Sequence, residues 1–222
     1  PIKREHLIKF EHIHIKSFPY MMYYSSLKLN DTKYSMCRYE NTNKFHLNKS
    51  KTLNLLKYKT KNSCSYKILN IYKRHFSTEK TYEDYKLFQY KKRPYIFVHA
   101  YTRQTNKTNV FPEIYDIHNN KYMKIVLVNQ LYKTVEKNWI CFEHNTNLYC
   151  LYNSYPYILY ELYKKTDNEF MFVKILNIDL VFPHFRINEH LPICLSGNIV
   201  TVPNDMLMCC VHTSSYWSYS FY

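Results

Sequence analysis

The chain almost lacks glycine. Gly197 is its sole glycine among 222 residues, and Ala100 is its sole alanine. Tight turns that require positive φ therefore have to be built from Asn or Asp, which tolerate the left-handed region better than other side chains. Asn30-Asp31, Asn119-Asn120, Asn145-Thr146-Asn147 and Asn204-Asp205 fit that substitution. Gly197 then stands out, as either a turn or bulge or a point of close approach to a ligand. Cysteine motifs are missing as well. The seven cysteines (Cys37, Cys64, Cys141, Cys150, Cys194, Cys209, Cys210) make an odd count with no CxxC. That argues against a disulfide framework and against a zinc site, so no metal is expected. Free cysteines inside strand-like runs act as small buried hydrophobes, and their use here fits a reducing, cytoplasmic compartment. No apolar run approaches the ~18 residues of a membrane-spanning helix, so no membrane partner is expected. The start, Pro1-Ile2-Lys3-Arg4-Glu5-His6, has no apolar core of a signal peptide. It also opens without Met, as a fragment or a processed product would.

What is abundant is tyrosine, 25 residues, and lysine. Arginine is confined to Arg4, Arg38, Arg74, Arg93, Arg103 and Arg186. Residues with AT-rich codons are favoured throughout and those with GC-rich codons are depleted, which an AT-rich genome explains. The formal net charge of +14 would suit nucleic acid or anionic surfaces. Tyr and Phe interleaved with Lys could also form a stacking groove for single strands. Yet the positive residues form no single tract, and the aromatics fall at alternating strand positions, which face a core more simply.

The strongest signal is a repeat. An apolar strand, a tight polar turn and a second strand closing on a polar side chain recur roughly every sixty residues. The copies run Ser26 to Arg38, Leu87 to His99, Trp139 to Asn153 and Asn198 to His212. A period of this size built from strand pairs, with no sustained helical period, points to an all-β chain folded as a β-propeller. The repeats centre near residues 24–40, 82–101, 136–155 and 192–213, within a propeller domain spanning 21–222. Residues 1–20 read as an N-terminal strand or extension. There His12 and His14 share one face of a weak strand, more simply an exposed face than a metal pair. Residues 41–61 read as a strand followed by a solvated loop, and 65–75 as a strand or a short helix. Tyr157 to Lys164, Met171 to Ile178 and Leu180 to Phe185 read as further strands.

A propeller gathers one polar residue per blade around its axis, here Arg38, His99, Asn153 and His212. Three polar segments open the later repeats: Glu83-Asp84-Tyr85-Lys86, Glu136-Lys137-Asn138-Trp139 and Leu195-Ser196-Gly197-Asn198. Carboxylates beside Lys, Asn and His suit a polyhydroxylated or anionic ligand, and an Asp there suits a general acid. Taken singly, Glu83-Asp84 also fits a solvated strand start, and Glu136-Lys137 a surface ion pair worth under about 1 kcal/mol. Trp139 and Tyr149 read as core residues, and His99 and His212 as satisfied strand-end histidines.

Over residues 20–222 the chain resembles the five-bladed β-propeller glycosidases and glycoside phosphorylases, nearest glycoside hydrolase family 130 and its relatives. Those relatives carry Glu-Asp-Pro-Arg before an aromatic hairpin, similar to Glu83-Asp84-Tyr85-Lys86. They carry Glu-Lys-Asn-Trp before a Leu-Tyr-Phe-x-Tyr-Ser strand, similar to Glu136 to Trp139 and Leu148 to Ser154. The resemblance implies an incomplete propeller of the five-bladed type with about four blades recognisable. It implies that Asp84 donates a proton to a glycosidic oxygen, directly or through a sugar hydroxyl, and that Lys137 holds phosphate or another anion, with His212 as a weaker partner. Asn138 and Arg38 would contact sugar hydroxyls, with Glu83, Lys86, His99, Asn153 and Gly197 also in the substrate-binding set. The implied partner is a glycan or sugar, and no cofactor is expected beyond inorganic phosphate as a co-substrate. The chain departs from the pattern where Pro-Arg becomes Tyr85-Lys86, which loses bidentate geometry, and where Arg-Gly-Gly becomes Leu195-Ser196-Gly197. A fifth blade is missing unless residues 1–20 and the tail from Tyr216 supply its strands. The functional expectation is thus a glycosidase or glycosyl-transferring phosphorylase. The alternatives are a non-catalytic carbohydrate-binding propeller and a basic nucleic-acid-binding protein.

Overall fold

The computed structural model describes residues 20–40, 51–73, 80–104, 107–128, 138–154, 157–178, 193–202, 206–214 and 219–221. The His12–His14 pair, the strand expected over 180–185, the Asn204-Asp205 turn and Lys137 lie outside them. All regular structure among the described residues is β, and no helix there is long and apolar enough to cross a membrane.

The strands form four blades. Blade 1 is β1 (Tyr20–Leu29), β2 (Thr32–Glu40), β3 (Lys51–Lys59) and β4 (Cys64–Lys73). Blade 2 is β5 (Thr81–Tyr90), β6 (Arg93–Gln104), β7 (Lys107–Asp116) and β8 (Lys121–Leu127). Blade 3 is β9 (Ile140–His144), β10 (Asn147–Ser154), β11 (Tyr157–Thr166) and β12 (Glu169–Ile178). Blade 4 is β13 (Ile193–Val202), β14 (Met206–Ser214) and β15 (Tyr219–Phe221). Each repeat seen in the sequence is the first hairpin of a blade. The first strands meet at the centre, β1 against β5, β5 against β9, and β13 against both β5 and β9.

Two segments that were hard to read resolve as strands. β3 holds Leu53, Asn54, Leu55 and Leu56 buried in a row, so the solvated loop expected within 41–61 gives way to a central strand. β4 covers the segment that admitted a helix. In the tail, β15 pairs with β14 through His212↔Phe221 and so belongs to blade 4.

Blades 2 and 3 share one eight-stranded sheet because their outer strands β8 and β12 pair in parallel, from Lys124↔Glu169 to Leu127↔Phe172. That sheet folds back until β5 meets β9. Lys86 Nζ donates to the Trp139 carbonyl at 3.1 Å, and the Lys91 backbone N–H donates to Glu143 Oε1 at 2.9 Å. The result is nearly closed, and its interior is aromatic.

The core lies between blades. Alternation in β5 and β6 sends Leu87, Ile96 and Val98 toward blade 1, where they meet Met36 and Leu56. Phe88, Tyr95 and Phe97 go the other way, toward Trp139, Tyr152, Tyr160 and Phe172 of blade 3. Trp139 sits at the middle of that second cluster, with its ring centroid 4.6 Å from Tyr152, 5.7 Å from Phe172 and 6.1 Å from Phe97. Burial and neighbouring rings also hold phenols neutral. Tyr122 is pushed up to about 12, chiefly by desolvation, and Tyr58 and Tyr82 are raised for the same leading reason.

Turns work mostly as the missing glycine requires. Asn30 (φ 50°), Asn120 (φ 56°) and Asn145 (φ 48°) occupy the left-handed region. The remainder do not follow the Asn/Asp rule. Lys91 (φ 48°), Lys92 (φ 58°) and the β-branched Thr146 (φ 68°) are also left-handed, because a type I′ hairpin turn demands positive φ at both centres.

Trp139→Ala should cost ~3–5 kcal/mol, the range for emptying a large aromatic site, read as a lowered denaturant midpoint. A loss below about 1 kcal/mol would mean that Trp139 is not the centre of the core. The raised tyrosines predict an alkaline limit. Their folded values lie above the unfolded value of about 10, so their stabilisation is whole below pH ~10 and fades as pH rises toward 12. Chemical denaturation at pH 8, 10.5 and 11.5 should show falling midpoints, and a flat profile would contradict the burial assigned here.

Candidate functional site

At the centre, the first strands are irregular where the sequence placed its polar segments. In β5, Glu83 pairs with His99 and Lys86 with Phe97, so Asp84 and Tyr85 together oppose Val98. This is a β-bulge, and Asp84 adopts φ 55° within it. Asn138 adopts φ 65° immediately before Trp139 and β9. In β13 the register slips between Ser196↔Cys210 and Val200↔Met208, so Gly197 lies in an irregular stretch. In β1 it slips between Met21 and Tyr23, beside Arg38. Bulges bend a strand and re-aim a side chain, which frees Asp84 from the alternation of β5. Asp is one of the few residues that enters this conformation at modest cost.

The bulge assembles a polar cluster between blades 1 and 2. Asp84 Oδ2 stands 3.8 Å from His99 Nδ1, and Arg38 Nη2 stands 3.7 Å from Glu83 Oε1. The Asp84 side chain keeps 16% exposure and Glu83 15%, whereas His99 has none and Arg38 has 5%. The carboxylates thus form the wetter side of the cluster, and the Arg38 guanidinium and the His99 imidazole its dry side. Both distances exceed those of good hydrogen bonds, so the pairs are looser contacts that orient the side chains.

Asn54 belongs to the same cluster and was missed in the sequence. It is fully buried, sits opposite Arg38 in register, and donates from Nδ2 to the Tyr82 carbonyl at 3.4 Å. The signal was there, a lone amide inside the apolar run Leu53-Asn54-Leu55-Leu56, but that segment read as entering a loop. Beside it, Lys80 Nζ binds the buried carboxylate of Glu113 at 2.5 Å and lies over the rings of Tyr82 and Phe111.

Of the residues expected at the site, Arg38, Glu83, Asp84 and His99 come together. Lys86 directs its ammonium to the Trp139 carbonyl, bridging β5 to β9. Asn138 is half-buried at the entry to β9. Asn153 and His212 lie on β10 and β14, opposite Ile158 and Cys194. Asn198, next to Gly197, donates to the Ser26 carbonyl of β1 at 3.3 Å and so ties blade 4 to blade 1.

No protein-family model matches the sequence, and no curated protein matches it either. The fold does have a counterpart. A solved structure from the GH130 family of mannoside phosphorylases, described as containing glycoside hydrolases that target beta-1,2 mannosidic linkages in Candida mannan, superposes with a TM-score of 0.53. The chain has the GH130 propeller fold. The match covers 90% of this chain and 65% of that one, at 7% identity. A glycosyl hydrolase from Bacteroides ovatus is similar at a TM-score of 0.48 and 8% identity, over 88% of this chain and 61% of that one. This chain therefore spans about two-thirds of the GH130 structure, at an identity that carries the fold alone.

Arg38 and Glu83 should be energetically coupled. Arg38→Met should cost ~1–3 kcal/mol, because it takes the facing guanidinium from a carboxylate that is only 15% exposed. Adding Glu83→Gln should recover part of the loss. A double-mutant cycle in denaturant checks this, and costs that simply add would show that the pair does not interact.

Proposed function

We propose that this propeller engages a glycan at its axial end and that Asp84 is the proton donor to a glycosidic oxygen. One observation carries the reading. Asp84 is held in a left-handed bulge at the exposed edge of a buried polar cluster, with the wholly buried His99 3.8 Å behind it. A carboxyl fixed in this way can be presented to a bound sugar while its orientation is set from behind. In the reaction, the Asp84 carboxyl gives its proton to the leaving oxygen as the anomeric C–O bond breaks. An oxygen of inorganic phosphate forms the new bond to that carbon, or an oxygen of water, which releases a proton to solvent as it does so. Water as acceptor makes the protein a hydrolase, and phosphate makes it a phosphorylase. His99 and Arg38 are positioning residues in this scheme, acting through Asp84 and Glu83. Asn138 is assigned to sugar hydroxyls, and Lys137 and His212 to the anion, on the sequence resemblance.

A second reading is a glycan-binding propeller without turnover. It is favoured by Lys86, which replaces the family's Arg and turns its ammonium to the Trp139 carbonyl, and by Tyr85, which is buried. An anion cradle built on that segment would be correspondingly weaker.

Asp84→Asn is a clean test, since Asn tolerates φ 55° at least as well as Asp. On aryl-glycosides and oligosaccharides, with and without phosphate, the variant should lose ~10²–10⁴-fold in turnover, the worth of a general acid, with its thermal midpoint unchanged. Sugar binding without wild-type turnover would select the second reading. Neither turnover nor binding would overturn both.

A further inference from the structure

The hairpin turns of blades 1 to 3 lie at one end of the propeller. Antiparallel pairing puts the two turns of each blade together. Contacts between blades bring the sets into one surface. Lys67 Nζ donates to Asn120 Oδ1 at 2.7 Å, joining blades 1 and 2. Lys121 Nζ donates to Asn168 Oδ1 at 3.2 Å, joining blades 2 and 3. From Asp84 to the tip at Lys91 the chain runs seven residues of strand, about 20 Å, so this surface faces away from the Asp84 cluster.

The surface is basic. Lys28, Lys33, Lys59 and Lys61 are exposed around the turns of blade 1, and Lys91, Lys92 and Arg93 around the first turn of blade 2. On blade 3, Lys164 and Lys165 are exposed but pair with Asp167 and Glu169. Among the described residues, the opposing exposed acids are Asp31 and Asp167, while Glu143 is half-buried and bound to Gln89 and Lys91. Seven basic residues of blades 1 and 2 that look dispersed along the sequence thus share this end.

Blade 4 adds an apolar edge. β14 starts at the turn end, and its first residues Met206, Leu207 and Met208 are 57%, 40% and 54% exposed. Neighbouring strand residues point to opposite faces, so exposure of three in succession leaves neither face of this tip covered.

We propose that the turn face docks on an anionic lipid bilayer. The Lys and Arg side chains meet headgroup phosphates, and Met206 to Met208 enter the headgroup boundary. Charge complementarity selects an anionic partner, and the adjoining apolar tip selects a bilayer over nucleic acid. A single strand would need several exposed rings for stacking, and Tyr163 is the only ring among the described exposed large hydrophobic residues. The bases also sit on separate turn tips over a broad face, as suits a planar array of charge. This surface does not depend on the proposed glycan chemistry.

The test is co-sedimentation of the purified chain with phosphatidylcholine vesicles and with mixed phosphatidylcholine–phosphatidylserine vesicles. A single-stranded oligonucleotide serves as competitor. Binding to the anionic vesicles alone is expected, weakening as salt rises. Lys91→Asn/Lys92→Gly/Arg93→Gln, chosen to suit the positive φ of the turn, should weaken binding at least tenfold, at the worth of each basic residue near a charged surface. Lys59→Gln/Lys61→Gln gives an independent reading from blade 1, and Met206→Ser/Leu207→Ser/Met208→Ser should remove the part that persists at high salt. Asp84→Asn should bind vesicles as the wild type does. Absence of anionic-vesicle binding, binding indifferent to these variants, or preference for the oligonucleotide would overturn the proposal.

Discussion

Blade 2 is dry on both faces, and this constraint organises the rest. Its first two strands carry large apolar residues at odd and even positions alike, so neither face can turn to water without great cost. Leu87, Ile96 and Val98 require blade 1, and Phe88, Tyr95 and Phe97 require blade 3. The chain satisfies both by wrapping blades around a common centre. The outer strands β8 and β12 then close the structure at the far side through a parallel ladder. Trp139 fills the space that this closure encloses, and blade 4 adds a smaller cluster around Ile140, Phe142 and Leu151.

The same constraint explains why the polar cluster needs a bulge. Side chains on a regular β5 would be committed to one core or the other. The extra residue breaks alternation at Asp84, so a carboxylate can leave the apolar packing while Tyr85 and Leu87 stay within it. The polar groups left inside, Arg38, Asn54 and His99, are tolerable only in company, since a buried charge or amide without a partner is costly. Orientation of Asp84 and stability of the blade 1–blade 2 junction are therefore properties of one cluster.

The two ends of the molecule divide the chemistry. Carboxylates and their buried partners gather where the first strands are irregular, whereas one group of lysines gathers at the turns. Strand interiors here are occupied by Tyr, Phe, Leu and Ile, which leaves turns as the places where charged residues remain solvated. A lysine-rich composition laid on a propeller thus becomes a face, even though it forms no tract in the sequence.

The repeat was legible because each blade opens with a hairpin whose apolar strands and Asn-rich turn are local in sequence. The likeness of Glu83-Asp84 to an axial segment could be seen for the same reason. β3 was harder to read, since its lysines and asparagines gave it a loop-like composition and only the fold shows that it is central. Asn54 was missed with it. Lys91, Lys92 and Thr146 broke the expected turn rule because hairpin geometry outranked residue preference. The sequence by itself determined the opening hairpin of each blade, through alternation and short-range turn chemistry. Only the tertiary structure decided that Arg38 and Asn54 meet Glu83, Asp84 and His99, and that a group of basic residues from blades 1 and 2 shares one end. Those relations join residues far apart along the chain, and packing between blades alone sets them.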